Sequence, residues 1–173
     1  MERTGKLYMT KQEKIDKAVE EAKKAQIRDD VCARSVLIGL QSVYPEITDE
    51  MVKATLSLAG GTGSASGSCG AYCCGLLGVG TKYNPYLKDE LENPDVQDIG
   101  CAKFIEYRDR FMKEMGTVLC PEIQKKMFGR GYILYDPKDQ QEFLNLEGHG
   151  EKCAEVVGVA TGIAAEMIFE DEE

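Results

Sequence analysis

Between residues 60 and 80 the chain reads GGTGSASGSCGAYCCGLLGVG, eight glycines and three cysteines in twenty-one residues. Backbone this bare serves where φ must be positive or where another group must approach the main chain closely. Any fold therefore has to bring a ligand, a thiol or a neighbouring helix against this stretch. Two chemistries compete for it: a loop that cradles phosphate, or a segment thinned so that sulfur can approach a partner.

The flanking segments are helical in pattern. Thr10-Lys11-Gln12-Glu13 forms a capping box that opens a charged helix through Ala25, with Ile15, Ala18, Val19 and Ala22 as a narrow apolar stripe, which predicts a helix on the surface of the fold. Over residues 29–44, Cys32, Val36, Gly39, Leu40 and Val43 recur at helical spacing until Pro45. Thr48 or Asp49 caps a third helix through Leu58, and residues 69–82 continue as helix despite Gly70, Gly75 and Gly78. After a mixed-charge connector, residues 96–115 give a long amphipathic helix ending before Gly116, and Cys120-Pro121 opens a short one towards Phe128. Residues 129–135 read as a turn with a brief β-like run, Asp136-Pro137 as an N-cap with proline at the first helical position, and residues 151–169 as a final helix.

The fold class expected is all-α, a single compact domain of six to seven helices with the Gly/Cys-rich loop and helix at its centre. It divides into an N-terminal helical extension (1–28), a Cys-rich redox domain (29–169) and a solvated acidic tail (170–173).

A formal charge of −9 and a pI near 4.8 work against electrostatic capture of nucleic acid or anionic lipid. No apolar run follows the N-terminal charges, and the longest apolar run, 156–165, falls short of the ~20 residues that span a bilayer. The expectation is a soluble, cytoplasmic protein. Seven cysteines, at 32, 69, 73, 74, 101, 120 and 153, are many for that compartment, where stable disulfides are disfavoured, so metal binding or redox chemistry rises in the ranking.

The phosphate reading fails on context. Gly61 to Gly67 has the form G-x-G-x-x-x-G, but the residues before it are helical rather than β, and no Gly-Lys-Ser/Thr triplet completes a P-loop. In the thiol reading, Cys69 and Cys73 share a helix face and Cys69 sits near a helix N-terminus, which favours its thiolate. Cys73 and Cys74 point to different sides, with no C-x-x-C, and Cys73 reads as a small buried hydrophobe. In the metal reading, Cys32, Cys69, Cys120 and Cys153 each sit near the beginning of a predicted helix, and four thiolates meet the needs of an iron–sulfur cluster. Cys74 is a further candidate ligand, while Cys101, beside Phe104 and Ile105, reads as core.

A lone cysteine in Asp30-Val31-Cys32-Ala33, a glycine run leading into Cys69-Gly70-Ala71 with Gly75 nearby, and then lone Cys120 and Cys153 resemble the C_GCAxxG_C_C family, whose members are classed as redox-active. The likeness covers residues 29–165. Cys73 and Cys74 stand where the family pattern has a small residue and a glycine, and Gly75 falls one position late. The resemblance implies a helical fold with thiol or iron–sulfur redox chemistry. A similar domain in split-Soret cytochromes looks like an iron–sulfur module, although without a C-x-x-C-H this chain is not expected to carry covalent haem.

His149, the single histidine, lies one helical turn before Cys153, so a Cys–His dyad is geometrically feasible, while a cap or loop role is the plainer one. Asp136, Asp139, Glu142 and Glu147 are irregularly spaced and read as solvated surface.

The reading is a redox protein, an electron carrier or oxidoreductase component, holding an iron–sulfur cluster of unknown type through Cys32, Cys69, Cys120 and Cys153 and passing electrons to a partner protein. Gly60, Gly61, Gly63, Gly67 and Gly70 would let the backbone approach the cofactor and donate amide hydrogen bonds to sulfur. Two readings stand beside it: a metal-free thiol/disulfide oxidoreductase or redox sensor using the same cysteines, and a structural zinc or interaction module. Small residues Gly158, Ala160, Gly162 and Ala164 are compatible with a homodimer.

Overall fold

The computed structural model describes residues 9–172. Among them the chain forms nine α-helices and two 3₁₀ turns, with no β-structure beyond one antiparallel bridge between Ser68 and Leu119. The helices are α1 (Lys11–Asp29), α2 (Cys32–Gln41), α3 (Asp49–Ala54), α4 (Gly70–Tyr83), α5 (Leu87–Glu92), α6 (Gln97–Met115), α7 (Cys120–Phe128), α8 (Pro137–Leu144) and α9 (His149–Ile168). The 3₁₀ turns are Thr55–Leu58, which completes the third predicted helix, and Pro94–Val96.

The all-α expectation holds, but the helix count exceeds the six or seven expected and the β-like run at 129–135 carries no strand. The connector contains α5, whose Leu87 and Leu91 are exposed, so no buried stripe exists for periodicity to register.

Local chemistry starts and stops these helices. At α1 the Glu13 amide donates to Thr10 Oγ1 at 3.2 Å while the Thr10 amide donates to Glu13 Oε2 at 2.7 Å, the reciprocal capping box. Asp136 Oδ1 accepts from the amides of Lys138 and Asp139, and Pro137 opens α8. Gly116 and Gly129 end α6 and α7 in the left-handed conformation.

The core forms where α9 packs against α1, α2, α4 and α6. Val157, Ala160, Thr161, Ala164, Ala165 and Met167 of α9 are wholly buried, so this helix is enclosed on most sides. The helix expected on the surface, α1, packs Ala18 and Ala22 fully into that core. A Cβ at Gly39 of α2 would lie 2.6 Å from Ala22 Cβ, so the two backbones meet closely only because residue 39 is glycine.

A smaller cluster of Tyr132, Leu134 and Phe143 packs with Phe128, Cys120 and Cys153. It closes over the glycine loop through Ser66, whose Oγ donates to Tyr132 O at 3.2 Å and accepts from the Leu134 amide at 2.8 Å. Glu170, Asp171 and Glu172 are exposed and pair with Lys103, Lys82 and Lys14. Glu173 lies outside the described residues.

Candidate functional site

The site is built on the loop before α4. Gly60, Gly61 and Gly63 have φ of 65°, 77° and 70°, and Thr62, Ser64 and Ser66 follow them into the same left-handed region. For a β-branched residue such as Thr62 that conformation costs about 1–3 kcal/mol, held here by surrounding bonds. The Gly67 amide donates to Gly61 O at 2.8 Å and the Ser64 amide to Ala59 O at 3.0 Å. At the loop's exit, the Cys69 amide donates to Val118 O at 2.8 Å and the Cys120 amide to Gly67 O at 2.9 Å. That short antiparallel contact sets Cys69, the residue capping α4, beside Cys120, the first residue of α7.

Cys32 opens α2 and its sulfur lies over Gly70. A Cβ on residue 70 would stand 3.0 Å from Cys32 Sγ and 2.5 Å from Leu58 O, so only glycine can follow Cys69 without moving the sulfur or the backbone. The neighbouring Cys69 thiol, and after it the amides of Gly60, Ala71 and Ala33, favour the ionised form of Cys32 and against the cost of burial bring it down to about 7. The proximity of Cys32, together with burial, pushes Cys69 well above the ordinary thiol range. Cys32 is thus the more readily ionised sulfur of the two.

Cys32, Cys69, Cys120 and Cys153 line one cavity of about 220 Å³, with Gly60 in its wall. Burial pushes Cys120 up to about 12, although Gln124 Nε2 donates to its sulfur at 3.4 Å. Burial raises Cys153 too, so both are neutral thiols near pH 7. Ile123, Met127, Phe128, Leu134, Phe143 and Val156 make most of the remaining wall apolar.

This geometry corrects the cofactor expectation. Among the described residues no three side chains of His, Cys, Asp or Glu come together closely enough to hold a metal ion. The four thiols are spread around a cavity wall instead of meeting at a point, which overturns the iron–sulfur reading and its metal-binding corollaries; a zinc module meets the same objection. Starting a helix places a cysteine at a helix end but does not set its distance from another helix end.

The remaining cysteines lie elsewhere. Cys74 is wholly buried in the main core, away from the cavity. Cys73 is partly exposed, with its sulfur 3.8 Å from Thr62 Oγ1, and faces a second hollow beside Leu76 and Phe104. Cys101 is partly buried, but its expected core neighbours Phe104 and Ile105 are exposed, because α6 buries Gly100, Tyr107 and Phe111 instead. Among the candidate glycines, Gly61, Gly63 and Gly67 shape the loop, while Gly60 and Gly70 are the two that reach Cys32.

The sequence reading missed a polar cluster on the cavity's other side. His149 Nε2 lies 3.0 Å from both Asp30 oxygens, and Gln26 Nε2 donates to Asp30 Oδ1 at 2.8 Å. His149 is buried, stacked on Phe128 and edge-on to Phe143 at 4.3 Å. The one available signal was Asp30 itself, two residues before Cys32, since nothing periodic links it to a histidine 119 positions away.

Residues 31–167 match the C_GCAxxG_C_C family, described as "Putative redox-active protein". The match gives no support to the wider likeness to split-Soret cytochromes. No curated protein and no solved structure matches the chain.

Proposed function

The chain belongs to the C_GCAxxG_C_C family, and from that premise we propose that it is a thiol/disulfide oxidoreductase whose working pair is Cys32 and Cys69. The observation that carries this reading is that Cys32 and Cys69 line one enclosed cavity, with Cys32 the more readily ionised of the two. A thiolate near its pKa at neutral pH combines a large ionised fraction with good nucleophilicity.

Cys32 attacks one sulfur of a disulfide R–S–S–R, forms Cys32–S–S–R and releases one thiolate. Cys69 then gives up its proton and attacks Cys32, forming the Cys32–Cys69 disulfide and releasing the second thiolate. With two protons taken up by the leaving groups, the protein dithiol loses two electrons and R–S–S–R becomes two thiols.

Equilibration in buffers of 2-mercaptoethanol and bis(2-hydroxyethyl) disulfide, followed by acid quench and peptide mapping, tests this. A reversible Cys32–Cys69 disulfide that is absent in Cys32→Ser and retained in Cys101→Ser is the expected result. Absence of that disulfide at every buffer ratio would refute the proposal.

A further inference from the structure

We infer that the substrates of this pair are small, uncharged, largely apolar disulfides, which enter the cavity, rather than glutathione disulfide, anionic disulfides or protein disulfides. The inference rests on the oxidoreductase reading above and names its substrate class. Two independent features of the cavity carry it.

The first is size and access. Cys69 is 5% exposed and Cys32 is partly buried, so a substrate sulfur has to come to them within the cavity. In-line attack needs the three sulfurs aligned, which a folded partner's disulfide cannot reach without exposing the pair. The volume of about 220 Å³ exceeds the ~150 Å³ cavity that accommodates benzene, so a small disulfide fits and a glutathione dimer does not.

The second is charge. Among the described residues no lysine or arginine lines the cavity; its one carboxylate is Asp30 and its one histidine, His149, already faces that carboxylate. A carboxylate or phosphate carried into this space would be desolvated without a counter-charge and would face both Asp30 and the Cys32 thiolate.

Oxidation of the fully reduced protein is followed by intact mass and peptide mapping with four probes at equal concentration: bis(2-hydroxyethyl) disulfide, dithiodiglycolate, glutathione disulfide and insulin. Each rate is divided by that of the same probe with free 2-mercaptoethanol, which removes intrinsic reactivity. Bis(2-hydroxyethyl) disulfide is expected to close Cys32–Cys69 at least about tenfold faster than the other three on this scale. Leu144→Lys, at a half-exposed position on the cavity wall, is expected to raise the dithiodiglycolate rate relative to the neutral probe. Equal relative rates for the neutral and anionic probes, or for insulin, with the disulfide still forming, would overturn the substrate class and leave the oxidoreductase reading intact. Failure of all four to form the disulfide would overturn both.

Discussion

His149 Nε2 sits 3.0 Å from both carboxylate oxygens of Asp30, joining the first residue of α9 to the left-handed residue that ends α1. Both helices belong to the main core, but this pair is at the edge of the thiol cavity, where Phe128 and Phe143 enclose the imidazole. His149→Ala removes the polar link and the aromatic contact together and is expected to cost about 2–4 kcal/mol. Asp30→Asn, which keeps a hydrogen-bond acceptor for His149 but loses the charge, is expected to cost less. Urea unfolding decides it: a loss below about 0.5 kcal/mol in His149→Ala would place the pair among ordinary surface contacts.

Gly75 is packed against the ring of Tyr107. A Cβ there would overlap Oη and Cζ and come within 2.9 Å of Cε2, and Tyr107 is wholly buried between Tyr72 and Phe111, with its hydroxyl donating to Ala160 O at 3.3 Å. Gly75→Ala is expected to destabilise by about 1–3 kcal/mol through overpacking, with the larger values if α4 cannot shift. Adding Tyr107→Phe should recover only part of this, because the ring carbons still obstruct the methyl group. Full recovery in the double variant, measured by thermal melting, would show that the hydroxyl alone was the obstacle.

What the sequence disclosed and what it withheld follow from the range of the forces involved. Thr10 with Glu13 and Asp136 with Pro137 act within one helical turn, and their caps are where the local pattern puts them. The apolar spacing of α2 and α9 likewise reports a buried face that the chain carries along its own length. Distances between segments leave no such trace. Cys120 and Cys153 begin or nearly begin helices as expected, yet how far their sulfurs stand from Cys32 depends on how α7 and α9 pack, and that separation decides between a metal centre and a lined cavity. In α6 the apolar residues outnumber those its neighbours can cover, so Phe104 and Ile105 fit a core pattern yet are exposed, and the buried face runs through Gly100, Tyr107 and Phe111.

The C-terminal acidic residues are predicted to contribute through charge. Lys14–Glu172 at 2.5 Å, Lys82–Asp171 at 3.1 Å and Lys103–Glu170 at 2.8 Å connect the end of the chain to α1, α4 and α6. Tyr83 adds a hydrogen bond to Glu170 at 2.8 Å. Partly exposed pairs of this kind contribute roughly 0–1 kcal/mol each and are screened by salt. A chain ending at Phe169 should therefore melt a few degrees lower than the full chain at low salt, and the gap should shrink in about 1 M salt. A gap independent of salt would assign the effect to packing instead.

The final prediction concerns the pH at which Cys32 reacts. Its ionised form is favoured first by the Cys69 thiol and then by the amides of Gly60, Ala71 and Ala33, which together outweigh burial and bring it to about 7. Alkylation by iodoacetamide follows the thiolate fraction, so the rate at Cys32 should rise with pH, reach half its plateau near 7 and change little above about 8. Cys120 and Cys153, raised by burial, should label slowly throughout that range. In Cys69→Ala the largest favourable contribution is gone while burial remains, so the half-point for Cys32 must move upward towards or beyond the ordinary thiol range of about 8.5. Gly70→Ala, which crowds the Cys32 sulfur and Leu58 O, should also disturb the profile, but with a loss of stability that Cys69→Ala need not share. Rates at Cys32 read by mass spectrometry across pH 5 to 10 in wild type and Cys69→Ala provide the measurement; coincident profiles would show that the two thiols do not share a proton and would remove the basis for treating them as a working pair.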